Sequence, residues 1–314
     1  MSKDMPRFNR SSPIRPCPPG RFRRFWEDAA DSLRNNQNMY RAWDKSKKYG
    51  KLQRIAFVFL AVVPLLKLLC GRGRDYMKQL RKGDCILKLD GPGCEEEEVL
   101  FYLPDFEKDL IQKCIVATKY FFERNELGNL QRYIRKGDVC LDIGANIGNH
   151  SIYYAKICHA SKIISFEPVK STFATLKKNI EINHLENCID AHDFGLSDRM
   201  KSASIAHFEE KNIGGTQLTE NSEGDLKLAS LDDMKFSCAI DFVKIDVEGM
   251  EYDLLRGAKQ FFAQQSPVVF IEIWDEHFGK VDSLLQEYGY RIFEKRPAGN
   301  YIYRKHSIPC MERS

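Results

Sequence analysis

Val139-Cys-Leu-Asp-Ile-Gly-Ala-Asn-Ile-Gly-Asn149 decides the fold, because a short apolar run ends in a glycine turn and helical spacing follows it. A run this short, bounded by turn residues, suits a strand buried on both faces. The turn Gly144-Ala145-Asn146-Ile147-Gly148 permits a tight bend and a close backbone approach to a ligand. Outward from this unit the chain alternates. Helices are expected over 149–158, 171–183, 251–262 and 281–288. Strands are expected over 139–143, 162–166, 188–192, 241–245, 268–273, 290–294 and 301–304. Residues 200–231 read as an inserted hairpin region. Upstream, 84–104 reads as two short strands about Gly91-Pro92-Gly93, and 107–135 as a helical stretch. Strands alternating with helices imply βαβ units, hence an α/β, doubly wound fold with a mostly parallel sheet and flanking helices. Ligands of such sheets bind beyond the carboxyl ends of the strands, near the point where strand order reverses.

Hydrophobic residues make up 43% of the 314, which excludes a chain disordered throughout. The net charge of +4 conceals an asymmetry: residues 1–82 hold 20 Lys/Arg against 6 Asp/Glu, and the rest is acidic. The expected organisation is a basic, partly disordered arm over 1–54, a short apolar helix over 55–71, strands and helices over 84–135, and the main domain over 136–305. The uncharged run from Ile55 to Leu66 is too short to span a bilayer, which takes about 20 apolar residues. Flanking cations suit a helix lying in the interface, so residues 41–82 are expected to meet an anionic membrane surface. No secretory signal opens the sequence, and the ten cysteines show no zinc spacing. They read as reduced thiols of a cytoplasmic protein, peripheral on or anchored to a membrane.

The glycine turn departs from G-x-G-x-x-G, since Asn146 stands where the second glycine would. Asp142 precedes the turn, and no Lys or Arg lies between it and Asn149. A carboxylate there repels a pyrophosphate and favours a ligand carrying ammonium and sulfonium charge, as S-adenosyl-L-methionine does. Glu167 ends the second strand, where a carboxylate accepts hydrogen bonds from a ribose diol. Asp193, ending the third, either faces an adenine amino group or caps a loop.

A second acidic cluster lies in Asp241-Phe-Val-Lys-Ile-Asp-Val-Glu-Gly-Met-Glu251. Lys244 and Asp246 interrupt a strand that should be wholly apolar, so they need partners. Lys244 either holds the loop by an ion pair or assists the chemistry electrostatically. Glu272 is a further lone carboxylate, at the end of the next strand. Asp246, Glu248 and Glu272 are candidates for a general base, and Asp246 with Glu272 for a Mg²⁺ site. His277 and His150 are read as alternative bases or as residues that merely begin helices.

LDIGANIGNHSIYYA (141–155), ISFEPVKSTFATLKKNIEIN (164–183), GLSD (195–198), NIGGTQL (212–218), LASLDDM (228–234), DFVKIDVEGMEYDLLRGA (241–258) and FIEIW (270–274) together resemble the FkbM family of methyltransferases. The resemblance implies a Rossmann-like class I methyltransferase fold, S-adenosyl-L-methionine as cofactor, and O-methylation of a hydroxyl on a glycan or metabolite. By the same resemblance Asp142, Gly144, Ala145, Asn146, Gly148, Glu167 and Asp193 form the cofactor site. Lys244, Asp246, Glu248 and Glu272 form the reaction face, and Gly214 and Gly215 border the acceptor. Two other functions compete: a nucleic-acid methyltransferase using the basic arm, and a non-catalytic membrane-associated scaffold. Nucleic acid is disfavoured because the arm lacks interleaved aromatics. The unpaired carboxylates argue against a scaffold.

Overall fold

A computed structural model describes residues 80, 84–91, 93–208 and 212–306. The expected arm over 1–54, the apolar helix over 55–71 and nearly all of the membrane-facing stretch 41–82 lie outside the described residues. No helix of the described residues is long and apolar enough to cross a membrane.

The elements in chain order are β1 (Ile86–Lys88), β2 (Leu100–Tyr102), α1 (Leu110–Thr118), α2 (Arg124–Leu130), β3 (Val139–Ile143), α3 (Asn149–Lys156), β4 (Lys162–Phe166), α4 (Lys170–Ile182), β5 (Ile189–His192), β6 (Gly195–Ser197), β7 (Lys201–His207), β8 (Gln217–Glu220), β9 (Leu226–Ser230), β10 (Phe242–Ile245), α5 (Glu251–Arg256), α6 (Lys259–Gln264), β11 (Val268–Glu272), α7 (Phe278–Glu287), β12 (Tyr290–Lys295) and β13 (Asn300–Lys305). The main sheet runs β12-β13-β11-β10-β3-β4-β5. Pairing from β11 to β5 is parallel throughout, and β13 runs antiparallel to both its neighbours. Strand order reverses between β3 and β10, so this is the Rossmann-like arrangement, and its ligand end lies where β3 and β10 finish.

Alternation along these strands divides the core in two. Cys140 and Phe242 point to the layer holding Phe121, Tyr154 and Leu176. Leu141 and Val243 point to the layer holding Leu254, Phe262 and Leu285. Being two residues on, Asp142 and Lys244 share the face of Cys140 and Phe242.

Three sequence expectations need correction. The helical stretch 107–135 is broken: Lys119 and Glu123 both adopt left-handed φ, near 50° and 56°, and turn the chain between α1 and α2. The helix expected over 251–262 is two short ones. The Gly257 carbonyl accepts from Ser230 Oγ and Asp232 N, and a Cβ on Gly257 would lie 2.1 Å from the Ser197 carbonyl oxygen. The region 200–231 is more than a hairpin: β7, β8 and β9 join β6 in a four-stranded sheet ordered β6-β9-β7-β8. Asn179 of α4 and Asn183, which caps it, anchor the upstream strands. Asn183 exchanges bonds with Leu100, while Asn179 accepts from Tyr102 N and donates to the Ile147 carbonyl in the glycine turn.

Candidate active site

The turn after β3 is held by backbone it touches directly. Gly144 N and Ala145 N both donate to the Phe166 carbonyl, each at 3.0 Å. Gly144 has φ +78°, and a Cβ there would lie 1.8 Å from the Asp246 carbonyl oxygen, so only glycine lets the ends of β3 and β10 meet. Glu167 braces the turn from β4: Oε2 accepts from Asn146 N at 3.0 Å and Oε1 from Val169 N at 2.9 Å. Burial raises its carboxyl to about 7, and the two amides offset this only in part.

A solvent-open cleft of about 1180 Å³ begins at this turn and runs past the ends of β10 and β11. Gly144, Ala145, Asn146 and Glu167 line one end, as expected, and Lys244, Asp246, Glu248 and Glu272 line the other. Gly148 is not among the lining residues. Its role is to precede α3 with φ +91°, close against Leu176.

Asp142 departs from expectation. It is fully buried beneath α3 and does not line the cleft. Ser151 Oγ donates to its Oδ2 at 2.5 Å, and Lys244 Nζ stands 3.4 Å from its Oδ1. The physical reason is strand alternation: Asp142 shares the side of Cys140, and that side is roofed by α3. It pairs with Lys244, whose ammonium also donates to the Gly144 carbonyl at 2.7 Å and faces Asp246 at 3.5 Å. The attraction of Asp246 and Asp142 outweighs burial and holds the Lys244 ammonium protonated. Asp193, expected either to face an adenine amino group or to cap a loop, is exposed and outside the lining.

At the far end, Glu248 occupies a left-handed φ of 50° before Gly249 at 101°. A side chain held so costs about 1–3 kcal/mol, a strain that gathers at functional turns. Burial and the neighbouring Asp246 raise the carboxyls of Glu248 and Glu272 above the usual range. His277 begins α7 and stacks on Trp274, with Nδ1 3.7 Å from Glu251 Oε2. It does not line the cleft.

Mg²⁺ on Asp246 and Glu272 does not fit this donor set. Mg²⁺ demands near-octahedral oxygen coordination, whereas the Lys244 ammonium already faces Asp246. Among the described residues no group of three or more His, Cys, Asp or Glu could hold a metal ion.

The sequence reading missed Glu123. The left-handed turn before α2 brings it into the cleft, where burial and Asp246 raise its carboxyl to about 7. No glycine marks that turn in the sequence. The rim formed by Asn212, Ile213, Gly214 and Thr216 also lines the cleft, and Asp109 fixes it by accepting from Ile213 N at 3.0 Å. Of the two glycines expected to border the acceptor, Gly214 lines the cleft and Gly215 does not.

Residues 142–292 match the Methyltransferase FkbM domain family. "Methyltransferase 1" of Beauveria bassiana is 25% identical over 184 residues, covering 50% of this chain and 74% of the fungal protein. "Methyltransferase sdnD" of Sordaria araneosa is 25% identical over 193 residues, with the same two coverages. Among solved structures, a methyltransferase FkbM from Methylobacillus flagellatus aligns at 17% identity and a TM-score of 0.37, over 61% of this chain and 52% of that one.

Proposed function

We propose, from the premise that residues 142–292 belong to the FkbM methyltransferase family, that the chain uses S-adenosyl-L-methionine to methylate a hydroxyl on a glycan or metabolite. The observation that carries this reading is the charge of the cleft. Among the described lining residues, Glu123, Glu167, Asp246, Glu248 and Glu272 bear carboxyls, while Lys244 alone bears an ammonium or guanidinium. Burial raises most of these carboxyls toward neutrality, so a cationic guest, which favours their ionised forms, suits this wall and a pyrophosphate does not.

S-adenosyl-L-methionine, when bound, supplies a methyl group already activated on a sulfonium. Gly144, Ala145 and Asn146 would hold it at the turn, with the spare lone pairs of Glu167 toward its ribose. Asp246 and Glu248 would offset the sulfonium charge, with Lys244 fixing Asp246. An aliphatic hydroxyl is a weak acid, so the protein must take its proton, and a carboxylate raised toward neutrality does so better than an ordinary one. Glu272, at the end of β11, lines the same cleft and adds to the carboxyls that face the sulfonium.

Calorimetric titration with S-adenosylhomocysteine tests the cofactor, with NAD as control. Binding of the first alone is expected; a flat trace with S-adenosylhomocysteine would overturn the reading. Methyl transfer from labelled S-adenosyl-L-methionine to fractionated extract tests the acceptor. Label recovered on oxygen of a small molecule or glycan is expected, and label on nucleic acid or nitrogen would refute that part. The excess of Lys and Arg over residues 1–82 supports a cytoplasmic seat on an anionic membrane. Equal sedimentation with anionic and neutral vesicles would exclude it.

A further inference from the structure

The strongest unused group in the cleft is Glu123, and its backbone, its neighbour Phe122 and its carboxylate are each held in place. First, its backbone is held in a left-handed conformation that a glutamate adopts only when its surroundings impose it. Second, the residue before it is clamped at both backbone atoms by one side chain: Phe122 N donates to Asn149 Oδ1 at 2.9 Å, and Asn149 Nδ2 donates to the Phe122 carbonyl at 3.1 Å. Third, His150 Nε2 is buried with no hydrogen-bond partner and stands 3.8 Å from Glu123 Oε2. Asn149 and His150 are the first two residues of α3, directly after the glycine turn. The element that begins at the turn therefore also places Glu123.

Resting on the methyl-transfer reading above, we infer that Glu123 is the general base that takes the acceptor's proton, and that Asn149 and His150 are its positioning residues. His150 lies in surroundings that keep its ring neutral, with burial and the Lys244 charge both disfavouring the imidazolium. The neutral ring stands with Nε2 3.8 Å from Oε2, bounding that side of the carboxylate and leaving Oε1 for the acceptor. In the transfer step the hydroxyl gives its proton to Glu123 while its oxygen forms the bond to the methyl carbon. The carbon–sulfur bond breaks and its electron pair stays on sulfur. The methylated product, S-adenosylhomocysteine and a protonated Glu123 result, so atoms and charge balance.

Glu123 accepts a proton near neutrality chiefly because burial raises its carboxyl. Asp246 on the loop after β10 and Glu126 on α2 raise it further, and Lys244 on β10 lowers it. Glu248 and Glu272 face it across the cleft and His150 from α3. Its side chain keeps 38% of its surface accessible, enough for an acceptor to reach it.

The test uses the full chain with labelled S-adenosyl-L-methionine, S-adenosylhomocysteine and the acceptor fraction that takes label. Glu123→Gln should bind S-adenosylhomocysteine as the native chain does and transfer methyl more slowly by about 10²–10⁴-fold. Glu123→Asp should regain part of the rate. Asn149→Ala and His150→Phe should lower kcat without weakening the cofactor, and His150→Asn should retain more of kcat than His150→Phe. The rate of the native chain should rise with pH through about 7 and that of Glu123→Gln should not. Transfer by Glu123→Gln within threefold of native, or loss of cofactor binding in that variant, would overturn the inference while leaving the methyl-transfer reading intact. A native chain that fails to bind S-adenosylhomocysteine would bring down both.

Discussion

Lys244 is the residue on which both ends of the cleft depend. Its ammonium is almost wholly enclosed, between a fully buried Asp142 and a partly exposed Asp246. Removing one partner of such a pair costs about 3–5 kcal/mol, because the other charge is left uncompensated. Lys244→Met should therefore lower the urea midpoint by that equivalent, and adding Asp142→Asn should recover much of it. A loss below about 1 kcal/mol in the single variant would mean that water already reaches Asp142. Asp142→Ala should act first on stability and on cofactor affinity only through Lys244. Glu272→Gln, by contrast, should bind S-adenosylhomocysteine within about threefold of native while lowering kcat. The acidic residues at 142, 167, 246, 248 and 272 were all legible in the sequence. Which way Asp142 pointed was not, because a lone carboxylate on a strand looks the same whether a helix or a cleft covers it.

Among the elements, the sheet followed the sequence closely. β3 and β4 begin and end at the expected residues, since strands apolar on both faces leave an unbroken apolar run between turn signals. Helix continuity was harder to read. The bend at Lys119 and Glu123 uses residues that carry no turn signature, so the sequence marked a helical stretch without its break. The break after α5 is imposed from outside, where Ser230 and Asp232 take the Gly257 carbonyl. Gly257→Ala should force Ser197 away and cost about 1–3 kcal/mol, seen as a lower Tm. An unchanged Tm would show that the β6 backbone yields freely. The edge of the sheet is fastened to the upstream elements by charge: Glu294 on β12 receives Tyr133 and Arg132, and Arg296 reaches Glu126 on α2. No spacing in the sequence announces these bonds between residues more than 160 positions apart.

For the molecule as a whole, the cleft makes stability depend on pH. The carboxyls of Glu123 and Glu167 are raised from 4.5 to about 7, so each binds its proton more tightly in the folded chain. Their contribution is complete below about pH 4.5 and is lost as pH rises through about 7. Glu248, Glu251 and Glu272 act in the same direction. His150 opposes them, since its ring is lowered from 6.5 to about 4; its contribution is present above 6.5 and lost as pH falls through 4. Without ligand, Tm should therefore fall by a few °C between about pH 6.5 and about pH 8. A cationic ligand should flatten that slope, and Glu123→Gln should reduce it. A Tm rising over this range in differential scanning fluorimetry would mean that water relieves the acidic wall.

The sequence by itself determined the alternating α/β order, the glycine turn after β3, the acidic ends of β4, β10 and β11, and the resemblance that the match over residues 142–292 bears out. These are local facts: apolar period, turn residues and lone carboxylates are written within a few positions of one another. Only the tertiary structure decided that Asp142 lies under α3, that Lys244 joins both ends of the cleft, and that Glu123 meets His150 across 27 positions of chain. Those depend on which face of a strand is roofed and which backbone a helix end clamps. Such matters are settled when distant segments pack, because burial and pairing, rather than neighbouring residues, set the energy of a charge.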